Sequence, residues 1–215
     1  MARIPQCDAA NPTGGCAHAG TLRRGSRSDR GRRAGRLRLT RVYRVASWRE
    51  EALPEEPGHP LHVPFAQGAG RIDNPDSYCV LYAAGEPAGA FGEAFGNKSR
   101  WRDEMFASKR FGSARRALVE MEVDSKVLNL DDAKALLPRA LRPSNIATPD
   151  RTVTQRLALA AFEEQAWDGL SWWSVRDARW SVYGLWSANP VVVAIEPLTL
   201  RHPAALEAAE MLGRA

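Results

Sequence analysis

The sequence predicts one α+β domain preceded by a basic tail, and three observations carry that reading. At 215 residues the chain has room for one domain of ordinary size plus an extension, at roughly 100 to 200 residues per domain. Strand-like and helix-like patterns are short and follow one another without the regular alternation that builds a doubly wound parallel sheet. No segment repeats. Hydrophobic residues at 44% and charged residues at 26% exclude a disordered or collagen-like chain, but they name no activity.

Residues 1–39 read as a disordered tail, because Gly, Arg and Ser dominate and nothing between Gly25 and Gly35 offers apolar surface to a core. The folded domain is expected over residues 40–215. The first 40 residues hold nine arginines against Asp8 and Asp29, so the other 175 carry −2 of the chain's net +5. The basic signal therefore belongs to the leader and not to a folded nucleic-acid face. A nucleic-acid tether is the functional reading of this tail, but it lacks the aromatic residues on which bases stack. An Arg-rich transit peptide ranks second, since the many glycines oppose an amphipathic helix.

Order is expected from Leu39 to Val45, where Val42, Tyr43 and Val45 favour a strand. Residues 51–77, rich in Pro, Gly and Glu, form a long loop. Tyr78 to Ala83 is almost wholly apolar and reads as a strand buried on both faces. A turn at Gly85 leads into a short helix, Pro87 to Phe95, whose proline sits where a missing N–H costs little. Residues 97–115 show no period and read as loop with one helical turn. Leu118, Glu120 and Glu122 alternate with Val119, Met121 and Val123, giving a strand over Ala117 to Val123. Val127 to Leu130 forms another, and Asp131 opens a brief helix that stops near Pro138. The longest helix follows Asp150 as N-cap, with Val153, Leu157, Ala160 and Ala161 at helical spacing and an end by Gly169. Strands at Ser171 to Val175, Val182 to Trp186 and Val191 to Ile195, then a helix over about Pro203 to Leu212, complete the domain.

Cys7, Cys16 and Cys79 are too few and too irregular for a disulfide framework, which fits a reducing cytoplasm. No stretch approaches the roughly 18 apolar residues of a membrane span, and the N-terminus lacks a secretory apolar core. The P-loop, the dinucleotide glycine fingerprint, His-Glu-x-x-His and Cys-x-x-Cys are all absent. Cys7, Cys16 and His18 match no zinc spacing, so no metal is expected. The four histidines, His18, His59, His62 and His202, fall in the tail, the long loop or near the C-terminus.

Polar residues planted in apolar elements remain. Arg44 interrupts the first strand, Tyr82 lies near the end of the second, Glu93 sits among small residues on the short helix, and Ser174 follows Trp172-Trp173. Burying an isolated charge is costly, so such residues should be paired or functional. Taken singly, each has a bland reading: Arg44 on a solvated strand face, Glu93 on an exposed helix face, Ser174 as an incidental polar residue.

Their order adds a resemblance. Val42-Tyr43-Arg44-Val45, then Gly68-Ala69-Gly70-Arg71, then Leu81-Tyr82-Ala83-Ala84 leading to Ala90-Phe91-Gly92-Glu93, and finally Gly169-Leu170-Ser171-Trp172-Trp173-Ser174-Val175-Arg176 resemble the pattern of the RES family. That family is named for an arginine, a glutamate and a serine, here Arg44, Glu93 and Ser174. The similarity runs from about Leu39 to Ile195 and includes Thr154-Gln155 at the start of the long helix. Two steps depart from it. The family's aromatic-Asn step after Gly-x-Gly-Arg is Ile72-Asp73-Asn74 in this chain, and its Tyr-Pro before the serine is Trp172-Trp173.

The resemblance implies a fold similar to ADP-ribosyltransferases, with a small split β-sheet core, flanking helices and a cleft for NAD as substrate. It implies a bacterial toxin that degrades NAD with water or phosphate as acceptor, or an ADP-ribosyltransferase acting on a protein. A cognate helix-turn-helix (Xre-like) antitoxin would neutralise it, and only through that partner would it meet nucleic acid. The implied catalytic residues are Arg44, Glu93 and Ser174, and the implied NAD contacts come from Arg44, Arg71, Tyr82 and Ser174. Residue chemistry agrees, because cleaving the nicotinamide–ribose bond passes through an oxocarbenium-like ribose that needs a negative group beside it, such as Glu93. Arg44 offers a planar fork for pyrophosphate or ribose oxygens, with Arg71 assisting. Tyr82 offers a flat face to the nicotinamide, and Ser174 a hydrogen bond to its amide or to the ribose. Trp172, Trp173, Trp180 and Trp186 are expected in the core. Two readings compete: a ribonuclease toxin, opposed by the lack of a histidine in the predicted elements, and a non-enzymatic binding module in which Arg44 and Glu93 form a structural ion pair.

Overall fold

Six strands and five helices make up the domain in a computed structural model that describes residues 36–64, 67–107 and 113–214, with only the backbone for 36–40. The strands are β1 (Arg36–Trp48), β2 (Leu81–Ala84), β3 (Arg115–Asn129), β4 (Gly169–Trp173), β5 (Ser181–Leu185) and β6 (Val191–Pro197). The helices are α1 (Pro87–Phe95), α2 (Ala133–Leu136), α3 (Pro143–Ala147), α4 (Arg151–Glu163) and α5 (Pro203–Met211). This is the α+β class read from the sequence. The tail expected over residues 1–35 lies outside the described residues, and residues 36–39, expected to belong to it, are the first part of β1.

The strands hydrogen-bond in the order β1-β2-β5-β4-β3-β6, and β1 also pairs with β3, so the pairing returns to its start. Every pairing is antiparallel except β3 with β4. The closure has one thin seam: β1 and β2 meet at a single position, Tyr43 opposite Ala84. Inside the ring Val42, Leu81, Val119, Met121 and Leu185 form the central cluster. Outside it, α2, α3 and α4 cover Leu128, Leu170, Trp172 and Trp186, while α1 and α5 pack over Leu118 and Trp180. Each large side chain buried here contributes about 1.5–3 kcal/mol relative to leaving it exposed.

Several expectations shift. The two strands expected around Ala117 to Leu130 are one, β3, because Asp124 and Lys126 point outward while the backbone between them stays paired with β1. Tyr78 to Val80 are buried as foreseen but precede the ladder, which starts at Leu81. The buried stripe of α4 is Thr154, Ala158 and Ala161, and Ala160 is exposed. Helix α3, too short to show a period, was not foreseen. Trp172, Trp180 and Trp186 are buried, whereas Trp173 is half-buried. Cys79 is buried, and Cys7 and Cys16 precede the described residues.

Candidate active site

Helix α1 carries Glu93, and its placement follows from glycine. The helix packs its Ala88, Gly89, Phe91, Gly92 and Phe95 side into the protein. A side chain on Gly89 would come 3.2 Å from Cβ of Trp180, and one on Gly92 would collide with the Trp180 ring. The absent side chains let the helix backbone lie directly on the indole, leaving Glu93 exposed.

The chain then brings a residue 81 positions away to that carboxylate. Ser174, just past β4 and only 2% exposed, donates its hydroxyl proton to Oε1 of Glu93. The serine Oγ in turn accepts the backbone N–H of Arg176 at 2.9 Å, while the backbone N–H of Ser174 is held by the carbonyl of Trp180 at 2.8 Å. The hydroxyl thus spends its donor and an acceptor site on protein, and fixes Glu93 in a charge-assisted bond. Its observed engagement is with Glu93.

Arg71 lies within electrostatic reach of the same carboxylate. Burial, and then the nearby Arg151, pull its guanidinium below the ordinary value, while the charge of Glu93 acts in the opposite sense. Its loop is locked from two sides. Asp73, buried at 5% exposure, accepts the N–H groups of Gly68 at 2.8 Å and Gly70 at 2.6 Å. From α4, Gln155 donates to the carbonyls of Gly68 at 3.0 Å and Gly70 at 2.9 Å, and Thr154 donates to that of Arg71 at 2.5 Å. Gly70 has no room for a side chain, which would strike Asp73 and the Tyr82 hydroxyl.

Tyr82 completes the latch. Its hydroxyl donates to Oδ1 of Asp73 at 2.6 Å and accepts the N–H of Ile72 at 3.1 Å. Burial, helped by the Asp73 hydrogen bond, raises its pKa, so it remains a donor. Its ring stands edge-on to Trp172, with centroids 6.4 Å apart. Asp73 was seen in the sequence only as a departure from the family step; in the fold it joins Arg71 to Tyr82.

Among the described residues, Arg44 shares no hydrogen bond with this group. No hydrogen bond or ion pair joins it to Glu93 among the described residues, so the structural ion pair of the non-enzymatic reading is not there. Its Nε and Nη1 are buried and have no hydrogen-bond partner among the described residues. Burial, and next the charge of Arg116, lower its pKa to about 10, which leaves it cationic at neutral pH. Arg44 lines a cavity of about 700 Å³ together with Arg116, Lys98, His59 and His62. Ala94 and Phe95, the two residues after Glu93, form part of the same wall.

The two histidines were missed, because nothing in the sequence of the long loop says that it folds over the β1 edge. Nδ1 of His59 accepts the N–H of Leu61 at 3.2 Å, and burial lowers the pKa of both imidazoles. Their presence removes the positional argument against a ribonuclease. Among the described residues no group of three or more His, Cys, Asp or Glu is arranged to hold a metal ion, and no helix is long and apolar enough to cross a membrane.

A family model described as the RES domain matches residues 38–207. The fold is similar to a chain in the crystal structure of the M. tuberculosis MbcT–MbcA toxin–antitoxin complex. That similarity is at 18% identity, covers 84% of this chain and 92% of that chain, and has a TM-score of 0.55. No curated protein matches the chain.

Proposed function

Because the chain belongs to the RES-domain family, we propose that it is a toxin that consumes NAD by cleaving the bond between nicotinamide and ribose. The observation that carries this reading is the Ser174–Glu93 hydrogen bond, with Arg71 within electrostatic reach of the same carboxylate. Such a held carboxylate suits a reaction in which positive charge develops on the ribose, since a preoriented charge need not reorganise as the bond breaks. Glu93 is the catalytic residue, and Ser174 positions it. Arg71 and Tyr82 border the ribose and nicotinamide end, and Arg44 takes the phosphates. The acceptor is water or phosphate, with a protein side chain as the alternative.

A cognate antitoxin, of helix-turn-helix type by the family resemblance, neutralises the protein. The similar solved structure is of a toxin–antitoxin complex, which supports such a partner. The test is to incubate the purified chain with NAD and follow free nicotinamide. Release that falls about 100 to 1,000-fold in Glu93→Ala is expected, and added phosphate that yields ADP-ribose 1″-phosphate identifies phosphorolysis. The His59 and His62 placement favours one second reading, phosphodiester cleavage in RNA; RNA cut while NAD stays intact would replace the first reading with that one.

A further inference from the structure

We infer that Arg116 joins Arg44 to form a two-guanidinium clamp for the diphosphate of the dinucleotide, which seats the phosphates in the Arg44 cavity while Glu93 meets the ribose. This rests on the NAD reading above and adds to it a residue that no motif in the sequence marked. Arg116 lies near the start of β3, opposite Ser47 of β1. It lines the same cavity as Arg44, and its charge acts on Arg44. Neither guanidinium is in an ion pair among the described residues.

Two adjacent, partly desolvated cations repel each other and lose hydration, a cost that proteins normally offset with carboxylates. Here the described lining offers one carboxylate, Glu104, against Arg44, Arg116 and Lys98. The missing negative charge is that of a ligand. Two planar forks with free N–H groups match the oxygens of a diphosphate, which accept bidentate hydrogen bonds, better than a single lysine would. A volume of about 700 Å³ suits a ligand of nucleotide size. The cavity lies along β1 just past its single pairing with β2 at Tyr43, and is lined there by Arg44 to Ser47 of the strand and by His59 and His62 of the long loop. Helix α1 links the two halves of the site, with Glu93 facing Ser174 and the next two residues on the cavity wall.

The experiment measures binding of ADP-ribose and of inorganic pyrophosphate to the full chain by calorimetry, beside nicotinamide release. The wild type should bind ADP-ribose, with pyrophosphate competing. Arg116→Gln should weaken ADP-ribose about 10 to 100-fold, the worth of a hydrogen bond to a charged group, and should raise KM for NAD more than it lowers kcat. Arg116→Lys keeps the charge without the fork and should fall between the two, which covers the case in which the glutamine variant does not fold. ADP-ribose affinity equal to wild type in either folded variant overturns the clamp, as does a wild type that binds neither probe. Binding needs no bond cleavage, so the two readings fail separately. Binding through Arg116 without nicotinamide release sinks the reaction alone; release with an unchanged KM in Arg116→Gln sinks the clamp alone.

Discussion

Replacing Gly92 by alanine puts a methyl group against the ring on which α1 rests. That carbon would lie 2.7 Å from Cη2 of Trp180 and nearer still to Cζ3, where ordinary carbon contacts are about 3.5–4.0 Å. Trp180 is 2% exposed and has nowhere to swing, so the helix must withdraw by about 1 Å. Overpacking of this kind costs about 1–3 kcal/mol. Alanine in place of a helical glycine returns about 1 kcal/mol, so the net loss of stability is about 0–2 kcal/mol. Activity should suffer far more, because the residue beside Gly92 is the carboxylate held by Ser174, and a 1 Å misplacement costs about 100-fold in rate. Urea unfolding should therefore find the variant folded near the wild-type midpoint, while nicotinamide release drops about 100-fold. Adding Trp180→Phe shortens the ring beneath the methyl and should restore part of the rate, a coupling that a double-mutant cycle reads directly. Full activity in a folded Gly92→Ala protein would show that the seat of the helix does not set the position of Glu93.

Three further outcomes follow from the same geometry. Ser174→Ala leaves the Arg176 N–H without its acceptor and frees Glu93 to rotate; it should lose about 1–3 kcal/mol in urea unfolding and lower kcat with little change in KM, whereas a KM effect alone would place Ser174 on the substrate. Arg44→Met removes a buried, unpaired charge and should raise stability by about 1–4 kcal/mol while ADP-ribose binding, measured by calorimetry, is lost; a destabilised variant would mean that Arg44 has a protein partner. Folding lowers the pKa of His59 and His62 below the ordinary 6.5, so the native state binds fewer protons than the unfolded chain. The stability this contributes is present above pH 6.5 and is lost as pH falls through the lowered values. A urea titration across pH 7.5 to 5 should show that decline, and His59→Gln/His62→Gln should flatten it.

How much was readable in advance depended on whether the signal was local. Helix α1 is legible from Pro87 to Phe95 because the turn at Gly85, the proline at its start and its small residues are signals within the segment itself. Glu93 and Ser174 stood out for the same kind of reason, as polar groups among apolar neighbours. The break expected between Val123 and Val127 failed because Asp124-Ser125-Lys126 looks like a turn by composition, and only the partner strand, through Arg38 and Leu39, keeps those residues extended. Asp73, His59 and His62 were invisible as site residues because their roles come from where loops land. The latch of Asp73 on Gly68, Gly70 and Tyr82, and the fold of the long loop over β1, are tertiary facts with no periodicity to announce them.

The order in which strands become neighbours also bears on when such a chain acquires its activity during synthesis. β2 leads directly into the helix that carries Glu93, yet its four-residue ladder is with β5, about 100 residues later. Ser174 too emerges well after that helix. A nascent chain stalled before residue 174 has neither the β2–β5 ladder nor the Ser174–Glu93 hydrogen bond, and non-local pairing of this kind is slow even once both partners exist. On the proposed toxin reading the site assembles only after β5 has been made, an interval in which a neutralising protein can bind first.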